Sequence, residues 1–252
     1  MHKNMKLILL FTILPQYLFA LISISPMEIG EEEGLHGNVV LGVETKRGNT
    51  TKDNYKGALK LSYDNNTTYV IWSEVSTEYG KSNDTEDTNK QYMHTRYIHA
   101  LTKEDIRTEI FGQLEEDKFK LIESRRLLGA GFRFKIFEIF KDAKAYIGLG
   151  GFYESIAYTS STDPKEENTR LNSYFAYTAK FAKDSKLTYS FFYQPKFTDY
   201  KDYVQSHKLQ LELHVYKLLF LNFQAAYDAD TNPAVGIKNY DFTQTTSFVF
   251  KF

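Results

Sequence analysis

After Gly37 no helix-period stretch of useful length appears. Instead, apolar and polar residues alternate in runs of about ten residues, the period-2 signature of strands with two unlike faces. The runs cover residues 38–46, 55–63, 68–79, 91–101, 106–115, 125–137, 145–158, 170–181, 186–194, 207–216, 219–228 and 237–252, twelve in all. In residues 207–216 the alternation is complete: Leu209, Leu211, Leu213 and Val215 stand against Lys208, Gln210, Glu212 and His214. The last run ends S-F-V-F-K-F, with Phe248, Phe250 and Phe252 on one parity and Ser247, Val249 and Lys251 on the other. A chain end frays unless something holds it, so this aromatic face predicts a closing strand set against an apolar surrounding.

Two architectures use strict alternation. In a soluble barrel the apolar parity points inward; in a membrane barrel it meets lipid and the polar parity lines the lumen. Three features select the second. The run lengths match the about nine to eleven tilted residues that cross a bilayer, whereas soluble strands are most often about five or six residues long. Predicted links at 64–67, 101–105, 138–144, 182–185 and 217–218 are short, those at 47–54, 80–90, 116–124, 159–169, 195–206 and 229–236 are longer, and the two sets alternate along the chain. Short turns on one side and longer loops on the other is the outer-membrane pattern. Finally, Tyr55, Tyr63, Tyr69, Tyr79, Tyr153, Tyr193 and Tyr227 share the apolar parity near strand ends, where an interfacial girdle belongs, although Tyr177 and Tyr189 fit less well. The expected fold is all-β: a transmembrane up-and-down antiparallel β-barrel of about 12 strands with both termini periplasmic.

Composition agrees with that picture and narrows the chemistry. The 252 residues carry 19 Tyr and 20 Phe, yet the mean hydropathy is −0.44, as expected of strands with one greasy and one polar face. Lys plus Arg number 31 against 32 Asp plus Glu, so no basic surplus exists to grip nucleic acid. The absence of Cys removes disulfides, thiolate metal sites and a Cys nucleophile. Ahead of the strands, a short basic stretch with Lys3 and Lys6 precedes an apolar run broken by Pro15 and Gln16. That pattern predicts a removable secretory signal over residues 1–23, cleaved near 20–23, rather than a membrane anchor. Residues 24–36 are then a short N-terminal periplasmic segment and residues 37–252 the barrel.

Short motifs support a resemblance. The stretch GVETKRGNTTKDN, residues 42–54, resembles the first hairpin of the salt-induced outer membrane protein family, the domain of unknown function 481. Its Gly48-Asn49-Thr50 supplies the core of that family's turn, with Thr45 one residue further from the glycine than usual. SRRLLGAGFRF, residues 124–134, resembles the family's Arg-x-x-x-Gly-x-Gly strand, and YIGLGGFYE its Gly-rich successor. The likeness spans most of the chain from Gly37 and implies an outer-membrane barrel of a Gram-negative bacterium. It implies no known activity.

The chemistry sought in the sequence is thin, and no cofactor is expected. Gly48-Asn49-Thr50 suits a tight hairpin through its tolerance of positive φ, and residues 64–66 a periplasmic turn. Gly129, Gly131, Gly148, Gly150 and Gly151 precede no helix and form no phosphate cradle; glycines inside barrel strands allow close packing. Ser206, His207 and Asp202 lie near an outer loop, the place where a barrel hydrolase of phospholipase or protease type keeps its site. The acidic groups Asp84, Glu86, Asp87 and Glu115, Glu116, Asp117 suit either solvated loops or divalent-cation contacts to lipopolysaccharide. The polar parity says more. Its expected lumen-lining charges are Glu44, Lys60, Glu74, Arg96, Arg107, Glu109, Arg125, Arg133, Lys135, Glu154, Arg170, Lys180, Lys208 and Glu212. At this strand number such mixed charges either pair across the lumen and block it or line a narrow path with a mild preference for anions. The favoured reading is an envelope barrel with a structural or stress role and at most a narrow lumen; a mildly anion-favouring small-solute channel is the alternative, and an outer-membrane enzyme of phospholipase or protease type the second alternative. Expected partners are outer-membrane lipid, lipopolysaccharide and the assembly machinery, the last through Phe248, Phe250 and Phe252.

Overall fold

The computed structural model describes residues 27–46, 52–101, 106–140, 142–160, 163–182 and 184–252, with the backbone alone described at 44–46, 52 and 137–140. Twelve strands run in chain order: β1 (Gly34–Lys46), β2 (Lys52–Asp64), β3 (Tyr69–Ser82), β4 (Thr85–Ala100), β5 (Ile106–Asp117), β6 (Ile122–Phe140), β7 (Ala143–Tyr158), β8 (Glu166–Ala182), β9 (Ser185–Pro195), β10 (Tyr203–Tyr216), β11 (Leu219–Asp230) and β12 (Tyr240–Lys251). Each pairs antiparallel with its chain neighbours, and β12 returns to β1, so the sheet closes into a barrel. Closure leaves no free edge except where a seam is incomplete.

The alternation predicted from the sequence is the inside–outside alternation of the wall. Leu41, Val75, Ile110, Leu128, Phe132, Leu149, Leu209 and Phe248 all present large exposed side chains outward. Their sequence neighbours point inward: Arg96, Arg133, Glu115 and Glu154 are buried in the lumen. An outer surface this apolar is stable only against lipid. Among the described residues no helix is long and apolar enough to cross a membrane.

Connections on the chain-end side are tight. The turn after β2 is built by Asn65, whose carboxamide oxygen accepts from the backbone N–H groups of Thr67, Thr68 and Tyr69, while Asn66 takes a positive φ of 67°. On the opposite side one expected loop is absent. The link predicted at 80–90 is a two-residue hairpin, because β3 and β4 extend to Ser82 and Thr85 and Asn83 and Asp84 both adopt positive φ. Asn and Asp tolerate that conformation better than other side chains, which is why a short turn fits here. The β5–β6 link contains one turn of 3₁₀ helix, Lys118–Lys120, whose N–H groups at Phe119 and Lys120 are capped by Asp117. The β9–β10 and β11–β12 links, 196–202 and 231–239, remain longer.

Two details concern the chain ends. β1 begins at Gly34, ahead of the expected Gly37, so His36 is a strand residue. Residues 27–33 turn into the barrel mouth: the Asp64 carboxylate accepts from the N–H groups of Gly30 and Glu31, and the Met27 carbonyl accepts from Arg133. The expected signal at 1–23 and the Gly48-Asn49-Thr50 turn lie outside the described residues.

Candidate functional site in the barrel lumen

One wall of the lumen is filled. An apolar cluster of Trp72, Phe111, Leu127, Phe152, Tyr174, Ala176 and Phe192 occupies the inner face of β3 to β9, and Met27 of the N-terminal segment packs on it. These residues sit on the polar parity, where the sequence pattern predicts water-facing groups. Glycines opposite make the room: a Cβ on Gly129 would fall 2.4 Å from the Phe111 ring and one on Gly148 1.9 Å from the Tyr174 ring. Bulky aromatics paired across from glycines on the lumen parity are the sequence signal for a plugged wall.

Charges bracket this cluster. Toward the chain-end side, Glu109 accepts from Arg96 at 3.0 Å and from the Tyr174 hydroxyl at 2.7 Å, and forms an ion pair with Arg133 at 2.8 Å. Toward the other side the signs alternate along a chain. Lys90 lies 3.1 Å from Glu115, Glu115 3.7 Å from Arg125, and Arg125 2.8 Å from Glu154. Glu154 in turn meets Arg170 at 2.5 Å, Arg170 meets Asp202 at 2.9 Å, and Asp202 meets Lys196 at 2.5 Å. Isolated buried charges are costly, and pairing with charges of opposite sign offsets that cost. Glu115 and Asp117, expected in a solvated acidic loop, are therefore buried members of this wall, because β5 runs through them.

The other wall, β1 to β3 and β10 to β12, faces a cavity of about 380 Å³. Its lining mixes both signs. Lys56 pairs with Glu78 at 2.6 Å and Lys251 with Glu212 at 2.5 Å, while Lys186 stands 3.7 Å from the same Glu212. Lys60 and Glu74, opposite each other in the β2–β3 register, and Lys208 of β10 also line it. Smaller cavities of about 50 and 190 Å³ continue beyond Lys90 and Asp228 beneath the 231–239 loop. Lys120 lies there; burial, with Lys90 nearby, pushes its ammonium down to about 8. At the chain-end mouth, Glu28 reaches Lys144 and, at 3.7 Å, Lys135, and Glu31 pairs with Lys180 at 2.5 Å. Burial opposes ionisation of Glu31, but the Lys180 ammonium outweighs it and holds the carboxyl below the usual carboxylate range.

The expected lumen charges thus divide. Arg96, Glu109, Arg125, Arg133, Glu154 and Arg170 belong to the filled wall, and Lys60, Glu74, Lys208 and Glu212 to the cavity. Lys135 and Lys180 hold the N-terminal segment, and Lys180 is exposed at the rim rather than enclosed. Arg107 is half-buried at the chain-end rim, near the Ile106 carbonyl at 3.4 Å. The side chain of Glu44 lies outside the described ones. Phe248, Phe250 and Phe252 are exposed on the outer face. The partners missed in the sequence, Met27, Glu28 and Glu31, and Asp202, singled out there only for a hydrolase site, come from segments without periodicity, which no pattern could place.

The structure does not assemble Ser206, His207 and Asp202. Ser206 is buried on the lumen side, His207 stacks on Phe191 and meets the Tyr189 hydroxyl at 2.9 Å on the outer side, and Asp202 is engaged by Arg170 and Lys196. Successive strand residues face opposite ways, so adjacent Ser and His cannot share a site. Among the described residues no group of three or more His, Asp or Glu forms a metal site.

Solved structures of similar shape are outer-membrane barrels. The COG4313 outer membrane channel from Pseudomonas putida F1 matches with a TM-score of 0.57 and 10% identity, covering 93% of this chain and 100% of that one. The translocator domain of the autotransporter NalP from Neisseria meningitidis gives 0.53 and 8%, covering 87% and 88%. The NanC porin gives 0.52 and 12%, covering 86% and 98%. At such identities the likeness establishes the fold alone. No curated protein matches. Residues 39–252 match the profile described as protein of unknown function, DUF481, and with the barrel now built from its own residues, the chain belongs to that family.

Proposed function

We propose that this barrel is a restricted-aperture channel of the outer membrane for small charged solutes, with both termini in the periplasm and the signal segment removed on export. The observation that carries this reading is the division of the lumen. A wall sealed by an apolar cluster and paired charges leaves a path only along β1 to β3 and β10 to β12, where the cavity lies. A twelve-strand barrel has room for such a path because one side of its lumen is left unfilled. Charges of both signs along it favour solutes that carry charge, since lumen charges set selectivity. Exposed Phe248, Phe250 and Phe252 at the closing strand support delivery by the outer-membrane assembly machinery.

The docked segment 27–33 favours a second reading, a closed barrel with a structural role in the envelope. One measurement separates them. In planar bilayers the refolded barrel is expected to give small unitary conductance steps with weak ion preference, larger once residues 27–33 are removed. Silence from both forms overturns the channel and leaves the structural barrel.

A further inference from the structure

The barrel closes along a short seam. β1 and β12 pair over four positions, from Asn38–Lys251 to Leu41–Phe248, followed by mutual backbone bonds between Gly37 and Phe252. The next shortest ladder among the described strands, β8–β9, has nine pairs. β1 nevertheless continues to Lys46 against β2, and β12 begins at Tyr240 against β11. Among the described residues, the facing edges beyond Leu41 and before Phe248 therefore carry no ladder between them. Continuing the register would set Gly42 against Ser247 and Val43 against Thr246. A wholly lipid-facing gap of this kind is disfavoured, because backbone N–H and C=O groups find no partner in hydrocarbon. Here the gap fronts the lumen cavity, which Thr245 and Ser247 of β12 line beside it and the paired Val40 and Val249 line at its zipped end. On its outer side Leu41 and Val43 are exposed beside the exposed polar residues Gln244 and Thr246.

We propose that this half-zipped seam is a lateral portal between the lumen cavity and the bilayer, and that it admits single-chain amphiphiles with a zwitterionic head. The head class follows from what the cavity offers. Among the described residues, neither Lys60 nor Glu74 makes an ion pair, although they oppose each other across β2 and β3; the Lys60 ammonium instead lies 4.5 Å over the Trp72 ring. A neighbouring cation and anion that form no ion pair suit a head bearing both signs. The cavity, at about 380 Å³, is of small-molecule size, within the about 300–1,000 Å³ of ligand sites. The tail keeps to lipid and crosses only where backbone pairing is missing. The proposal rests on the lumen being a passage, but it predicts something the axial path does not.

The test uses the full barrel in liposomes with dodecylphosphocholine carrying a diazirine beside its head group. Photolabelling is expected on cavity-facing peptides of β2 and β12. It is expected to be lost when Val43→Cys and Thr246→Cys are joined by a disulfide or a short bis-maleimide, with ion conductance retained. Cavity labelling that survives the cross-link, or labelling confined evenly to the lipid face, overturns the portal. Amide hydrogen exchange checks the seam without any substitution: Gln244 and Thr246, whose N–H groups face β1, should exchange well before Phe248 and Phe250, which the seam ladder holds, and equal protection refutes an open seam. A silent conductance trace with fast exchange and cross-link-sensitive labelling would remove the axial channel and leave the portal standing.

Discussion

Glu154 shows what a single lumen residue contributes. It is fully buried, and its two oxygens serve Arg125 and Arg170 from β6 and β8, so it ties together strands that do not pair with each other. Replacing it with Gln keeps the volume but leaves two guanidinium groups short of charge. Breaking a buried pair in this way costs about 3–5 kcal/mol, to be seen as an earlier urea midpoint in detergent. Gly148 makes the complementary point through shape. Gly148→Ala would drive a methyl group into the Tyr174 ring and pull its hydroxyl from Glu109 and Arg133. The expected loss is about 1.5–3 kcal/mol, the range for hydrogen bonds to charged groups. Tyr174→Phe in the same assay should give a similar loss, and the double variant little more, because both remove the same bonds.

At the scale of elements, two segments outside the regular wall control the mouths. The 3₁₀ turn Lys118–Lys120 places Lys120 where the smaller cavities meet. Its folded value of about 8 is below that of a free lysine, so below about 8 the buried charge opposes folding, and this penalty lifts as pH rises through that value. Losing a positive charge at the mouth should raise the cation-to-anion permeability ratio as pH passes through about 8. Reversal potentials measured across that range test this, and Lys120→Met should flatten the response. The N-terminal segment acts at the other mouth. The depressed carboxyl of Glu31 means that its pairing with Lys180 is fully present above the ordinary carboxylate range and is lost as pH falls through the lower folded value. Conductance should accordingly rise in acid, and a chain lacking residues 27–33 should be insensitive to the same change.

At the scale of the molecule, the terminal strand is both seam and closure. Phe252 exchanges backbone bonds with Gly37, and its ring occupies the place a Gly37 side chain would take. Deleting Phe252 should therefore lower the yield of heat-modifiable, folded barrel more than it lowers secretion; unchanged folding would count against an assembly role for this end.

How much of this was legible differs by feature. Residues such as Leu209, Leu211 and Leu213 identified the lipid face from spacing alone, because lipid imposes one requirement on every outward position around a closed barrel. The strand count followed for the same reason. The β3–β4 hairpin did not: its residues are polar enough for a loop, and only the paired backbone shows that Asn83 and Asp84 are the whole turn. The lumen was legible in residue type but not in use. Alternation says that Trp72, Glu74, Phe152 and Glu154 share an inner face, yet it cannot say that Trp72, Phe152 and Glu154 fill one wall while Glu74 borders a cavity. Which inward residues meet across the barrel depends on register, strand tilt and where the seam closes, and those are set by closure of the whole sheet rather than by any local run. The sequence by itself determined a barrel, its outer face and the parity of its lining. Only the tertiary structure decided that the lining seals one side, leaves a path on the other, and joins its first and last strands over only about a third of their length.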